Sequence, residues 1–173
     1  MATTITQETT SVWSGAALNR LNQQTAKWLN EVINTPGAKN AFVCDNRGNV
    51  LGALVNDAYD RGMLRRTGQY ISQIFGSLDI TGNTKPKEIE LVFERVKMTI
   101  RDLDNAFGVL ILTSNANASI IRMSMNVSSA AFEGDAELQR ALRIVGSSRR
   151  ESLTQSSMEN GSWELARKAK LVG

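Results

Sequence analysis

The sequence predicts one α/β (α+β) domain whose elements run helix, two strands, helix, three strands, helix. Three observations predict it. Leu18, Leu21, Trp28, Leu29, Val32 and Ile33 gather on one side of a helix before Pro36-Gly37 stops it. The stretch FVCDNRGNVLGALV, Phe42 to Val55, holds two short apolar runs apart with five turn-forming residues. From Ile89 to Thr113 the apolar period shortens to that of extended chain. With 173 residues, 42% of them hydrophobic, one core and some terminal extensions are expected.

The elements follow in order. Residues 1–15, rich in Thr and Ser, bury too little to offset the entropy of ordering and are expected as a loose arm before a domain over 16–146. The first helix starts by Leu18, with Trp28 in its core face. Strands at Asn40 to Cys44 and Val50 to Asn56 form a hairpin, because Gly48 can take a positive φ in the turn. Asp57, or Tyr59-Asp60, can cap the second helix by accepting from free N–H groups of its first turn. Its buried stripe is expected to be Met63, Leu64, Thr67, Tyr70, Ile71, Ile74, Phe75 and Leu78. Arg61, Arg65, Arg66, Gln69 and Gln73 fall on the other side, a polar and cationic face.

Asp79 to Lys87 reads as a connector. Ile89, Leu91 and Phe93 share one parity and Val96, Met98 and Ile100 the other, so the chain reverses near Glu94-Arg95. Asp102 to Asn105 is a turn, and FGVLILT, Phe107 to Thr113, is apolar enough for burial on both faces. Ile121, Met123, Met125 and Val127 fit either period. Asn115 and Asn117 as caps, with Ala130, Ala131 and the helical run Ala136 to Val145, favour a helix. Residues 147–173 are a Ser-rich linker and a short basic tail, WELARKAKLVG, whose largest apolar groups, Trp163 and Leu171, are its candidate docking residues.

Composition excludes several chemistries. There is no histidine, so no imidazole base for a Ser-His-Asp or Cys-His system and none for zinc. The single cysteine, Cys44, allows neither an intrachain disulfide nor a thiolate zinc site and reads as a small buried group. No phosphate loop or dinucleotide fingerprint occurs, and no cofactor or metal is implied. Asp102 and Asp104 lack the other oxygens of a calcium loop and read as turn residues. Twenty Lys and Arg against 17 Asp and Glu give a formal charge of +3, with the bases dispersed, which does not suit nucleic acid. No apolar run reaches membrane-spanning length, and the N-terminus lacks a basic start and apolar block, so a cytoplasmic protein is expected.

The element order, the turn in AFVCDNRGNVLGALV with Asp45 and Gly48, the strand GVLILT, and SIIRMSMN with Arg122 together resemble the roadblock/dynein light-chain family, a relative of the longin and profilin folds. The resemblance covers about residues 18–145. It implies a central five-stranded, mainly antiparallel sheet with helices on both faces, and a helix over Ile120 to Val127. It also implies a homodimer in which third strands pair edge to edge and second helices pack across the same axis, with Ile89, Leu91, Phe93, Ile71 and Phe75 at the interface. An uncovered strand edge at EIELVF suits such pairing.

For activity the resemblance implies binding rather than enzymology, as in prokaryotic roadblock regulators or scaffolds of small Ras-like GTPases. The GTPase is expected on Arg61, Arg65, Arg66, Gln69 and Gln73 of the paired second helices. Arg65 or Arg66 as an inserted arginine finger is the sharper form. Two other classes compete: a small-molecule sensor domain with a partly polar cavity, and an architectural adaptor acting through its tail.

Overall fold

Trp28 organises one half of the molecule. It lies on α1 (Gly15–Val32) and is 1% exposed. Its ring rests on β6 (Ala106–Thr113) at Gly108, where a Cβ would come within 2.3 Å of it. Its Nε1 donates to Ser129 Oγ at 3.2 Å on α3 (Ala118–Gly134). One side chain thus fixes helix against sheet and helix against helix.

The computed structural model describes residues 3–4, 15–81 and 85–145. Besides α1, β6 and α3 these form β1 (Thr3–Thr4), β2 (Ala38–Asp45), β3 (Val50–Val55), α2 (Arg61–Thr81), β4 (Glu88–Val92) and β5 (Val96–Asp102). A fourth helix, α4, occupies residues 136–145. The sheet order is β1-β3-β2-β6-β5-β4, antiparallel throughout.

The sheet divides the interior in two, as the alternation of strand side chains requires. Ala41 and Val43 of β2 with Leu110 and Leu112 of β6 face α1, α3 and α4. Phe42 and Cys44 with Phe107 and Val109 face α2. Phe75 of α2 meets Phe107 of β6 at a ring-centroid distance of 4.5 Å. The run FGVLILT is therefore buried on both faces, as its unbroken apolar character predicts.

The main departures from the sequence reading are four. Thr3 and Thr4, expected in a loose arm, pair with Val55 and Leu54 and give the five-stranded sheet a short sixth strand. The connector expected from Asp79 begins later, because α2 runs to Thr81. The last helix is two: Asp135 (φ −80, ψ 92) breaks it, and the Asp135 carboxylate then caps α4 by accepting from Leu138 N at 3.1 Å. Met63, Tyr70 and Leu78, expected in the buried stripe of α2, are 39, 65 and 41% exposed. The residues that α2 buries are Leu64, Gly68, Ile71 and Phe75, a narrower band one turn-quarter away. The ambiguous segment over Ile120 to Val127 is helical, with Asn117 capping it through bonds from Ser119 N and Ile120 N.

Candidate functional site

The β2–β3 turn builds the seat of α2. Asp45 Oδ1 accepts from Arg47 N at 2.9 Å and from Asn49 N at 3.0 Å, while Asp45 Oδ2 accepts from Asn49 Nδ2 at 2.9 Å. Gly48 takes φ +85 inside this loop. The loop tip then presses on the middle of α2. A Cβ on Gly68 would lie 2.5 Å from the Gly48 carbonyl oxygen, and one on Gly48 2.3 Å from the Gly68 backbone. Ser72 Oγ donates to the Asn46 carbonyl beside this contact. Backbone meets backbone with no side chain between.

Sequence reasoning identified Gly48 by its turn but missed Gly68 and Ser72. The available signal was an otherwise costly glycine in mid-helix, one face-turn from a buried leucine. At the start of α2, Asp60 is the cap among the candidates named: its Oδ1 accepts from Met63 N at 2.7 Å.

So seated, α2 presents three sides at helical spacing. Leu64, Ile71 and Phe75 face the sheet and are 1, 2 and 2% exposed. Ile71 and Phe75 are therefore interior to the subunit, and the expectation that they lie at a dimer interface is corrected. Met63, Tyr70 and Leu78, with half-buried Thr67 and Ile74, form an apolar flank instead. Arg61, Arg65, Arg66, Gln69 and Gln73 are all exposed and make up the remaining polar side.

Among the described residues β4 ends the sheet, so one row of its backbone groups has no neighbouring strand there. Ile89 and Leu91 are half-buried against the same apolar cluster as α2, and Phe93 beyond them is 51% exposed. The structure thus places the expected strand-edge residues and the polar face of α2 on one side of the molecule. Trp163 and Leu171 lie outside the described residues.

Burial pushes the Cys44 thiol up, and the Asp45 carboxylate adds to the shift; the side chain is fully enclosed and not a nucleophile. Asp102 and Asp104 form the turn expected of them: Asp102 Oδ1 accepts from Asp104 N at 3.0 Å, Asp102 Oδ2 meets Lys85 Nζ at 3.0 Å, and Asp104 takes φ 73. Among the described residues, no three His, Cys, Asp or Glu are grouped as metal ligands. Among the same residues, no helix is long and apolar enough to cross a membrane.

No protein-family model and no curated protein matches the sequence. Solved structures do. Myxococcus xanthus MglB superposes with a TM-score of 0.56 at 12% identity, over 78% of this chain and 96% of that one. The gliding protein MglB of Thermus thermophilus gives 0.53 at 19% identity, over 76% and 95%. A Roadblock/LC7 domain from Streptomyces avermitilis gives 0.51 at 10% identity, over 63% and 91%. A hairpin-seated second helix, a sheet ending in an open fourth strand and these superpositions lead to one conclusion: the chain has the roadblock/LC7 fold.

Proposed function

We propose that this chain is a non-enzymatic, homodimeric regulator or scaffold that binds a small Ras-like GTPase. The observation that carries the reading is the division of α2 into a sheet-facing side, an apolar flank and a polar outer side, next to an open strand edge. Pairing of β4 with β4 of a second copy satisfies the edge through a two-fold axis. It involves Ile89, Leu91 and Phe93, and draws the flanks of the two α2 helices, Met63, Tyr70 and Leu78, toward one another. Their polar sides then make one ledge carrying Arg61, Arg65, Arg66, Gln69 and Gln73 twice. The likeness to MglB structures supports the GTPase as the occupant of such a ledge.

A ledge of this kind acts on a GTPase by favouring one arrangement of its switch loops, with no reacting group of its own. Arg65 or Arg66 reaching into the nucleotide site is the catalytic variant of the same idea. Leu91→Lys puts a charge at the pairing edge and should halve the mass measured by light scattering; an unchanged mass rejects edge pairing. Arg65→Glu with Arg66→Glu should keep the mass and weaken capture of a Ras-like GTPase. Hydrolysis by the captured GTPase, with and without the chain, reads the regulation. Full capture by the double variant moves the GTPase off α2.

A further inference from the structure

Among the described residues the end of the sheet opposite β4 consists of β3 and, outside it, only the two residues of β1. β3 reads VLGALV, six residues with no charge and no proline to keep a further strand away. Its two halves are guarded differently. Gly52 stands opposite Val43 of β2 and Val50 opposite Cys44, so Leu51 is an extra residue in β3, a bulge that twists the first half of the edge. From Gly52 onward the ladder is regular, with Ala53 opposite Phe42 and Leu54 opposite Ala41. That flat half is where β1 sits, Thr4 opposite Leu54 and Thr3 opposite Val55.

We propose that β1 is a terminator of the sheet: it occupies the flat half of β3 and keeps a second copy of the chain from adding its own β3 there. A second copy is the occupant that the strand itself selects. Antiparallel pairing of β3 with β3 about a two-fold axis sets apolar residues along its whole length, with no like charges to oppose it. The basic tail is a poorer occupant, since β3 offers no acidic side chain to hold it.

The consequence is for the size of the assembly. With β4 joined to β4, the two outer ends of the shared sheet are both β3 edges. A copy added at either would expose its own β4, which takes another copy in turn, and such growth does not close. β1 holds the assembly to one pair. This last step rests on the pairing at β4, whereas the capping of β3 does not.

Thr3→Pro with Thr4→Pro in the full-length chain tests it. Along an antiparallel ladder alternate residues turn their N–H groups to the neighbour, so one of two consecutive residues bonds to β3, and proline at both removes that N–H whichever it is. β1 is a two-residue addition to five longer strands, and losing it leaves those strands paired. Mass by light scattering should then rise with protein concentration beyond that of the unsubstituted chain, with no fixed number of copies. In the Leu91→Lys background, where β4 is blocked, the same prolines should turn single chains into pairs and go no further. Thr3→Ala with Thr4→Ala keeps the N–H groups and should leave the mass unchanged in both backgrounds. Pairs and nothing larger in both backgrounds would uphold the cap and reject the pairing at β4. Prolines without effect on the mass in both backgrounds would overturn the cap. So would growth with the alanines equal to that with the prolines, or growth that needs residues 147–173 removed.

Discussion

At Gly68 the hairpin and the second helix touch through bare backbone, and any side chain there must displace one of them. Gly68→Ala would gain about 1 kcal/mol of helix propensity. It would also place a Cβ 2.5 Å from the Gly48 oxygen, a backbone atom with no rotamer to yield. Overpacking of this kind costs roughly 1–3 kcal/mol, so the expected net effect is a loss of up to about 2 kcal/mol. A urea titration measures it; a neutral or stabilising result would show that the hairpin tip can retreat. The Asp45 loop was legible in the sequence because turn residues declare themselves locally. The partnership of residues 48 and 68 was not, since nothing local to a helical glycine says what approaches it.

Elements meet in this chain at charged as well as apolar junctions, and α1 with α4 is the clearest. Burial by itself would push the Asp135 carboxyl up, but donation from Leu138 N, the Arg20 guanidinium and the Gln24 amide outweighs burial and holds it below the ordinary carboxylate value. A carboxylate with a lowered folded pKa contributes stability that is present above its unfolded pKa. That contribution is lost as the pH falls through the folded pKa. Asp135→Asn should therefore lower stability at neutral pH and flatten its decline into acid, as read by urea midpoints across that range. A decline as steep as in the unsubstituted chain would place the acid sensitivity elsewhere.

Helix and strand periods read α1, β2, β3, β5 and β6 well, because each buries a continuous face. α2 was harder for a physical reason. A stripe of Met63, Leu64, Tyr70, Ile71, Phe75 and Leu78 is wider than one sheet contact uses, and periodicity does not tell the sheet-facing half from the half left exposed. The exposure of Met63, Tyr70 and Leu78 comes from that excess width, while Leu64, Ile71 and Phe75 are buried as the stripe requires. The break at Asp135 was likewise invisible to period, since Ala130, Ala131 and Ala136 suit a helix equally on both sides of it.

For the whole molecule, the exposed apolar side chains of α2 (Met63, Tyr70, Leu78) and of α3 (Ile120, Met123, Val127) lie on opposite faces of one sheet. Deleting residues 147–173 should leave both the number of chains per assembly and GTPase capture unchanged if the α2 ledge is the binding surface. Loss of capture on deletion, measured by the same pull-down, would assign binding to the tail instead. The order of strands and helices was readable from the residues, whereas the place of EIELVF at a sheet edge came only with the family resemblance. Which flank of α2 faces outward is a property of the assembled subunit.

α4 closes over α1 and α3, so the polypeptide departs from the layer remote from α2. Val145, where the described residues end, packs against the cluster of that layer, so the whole thickness of the sheet stands between it and the outward side chains of α2.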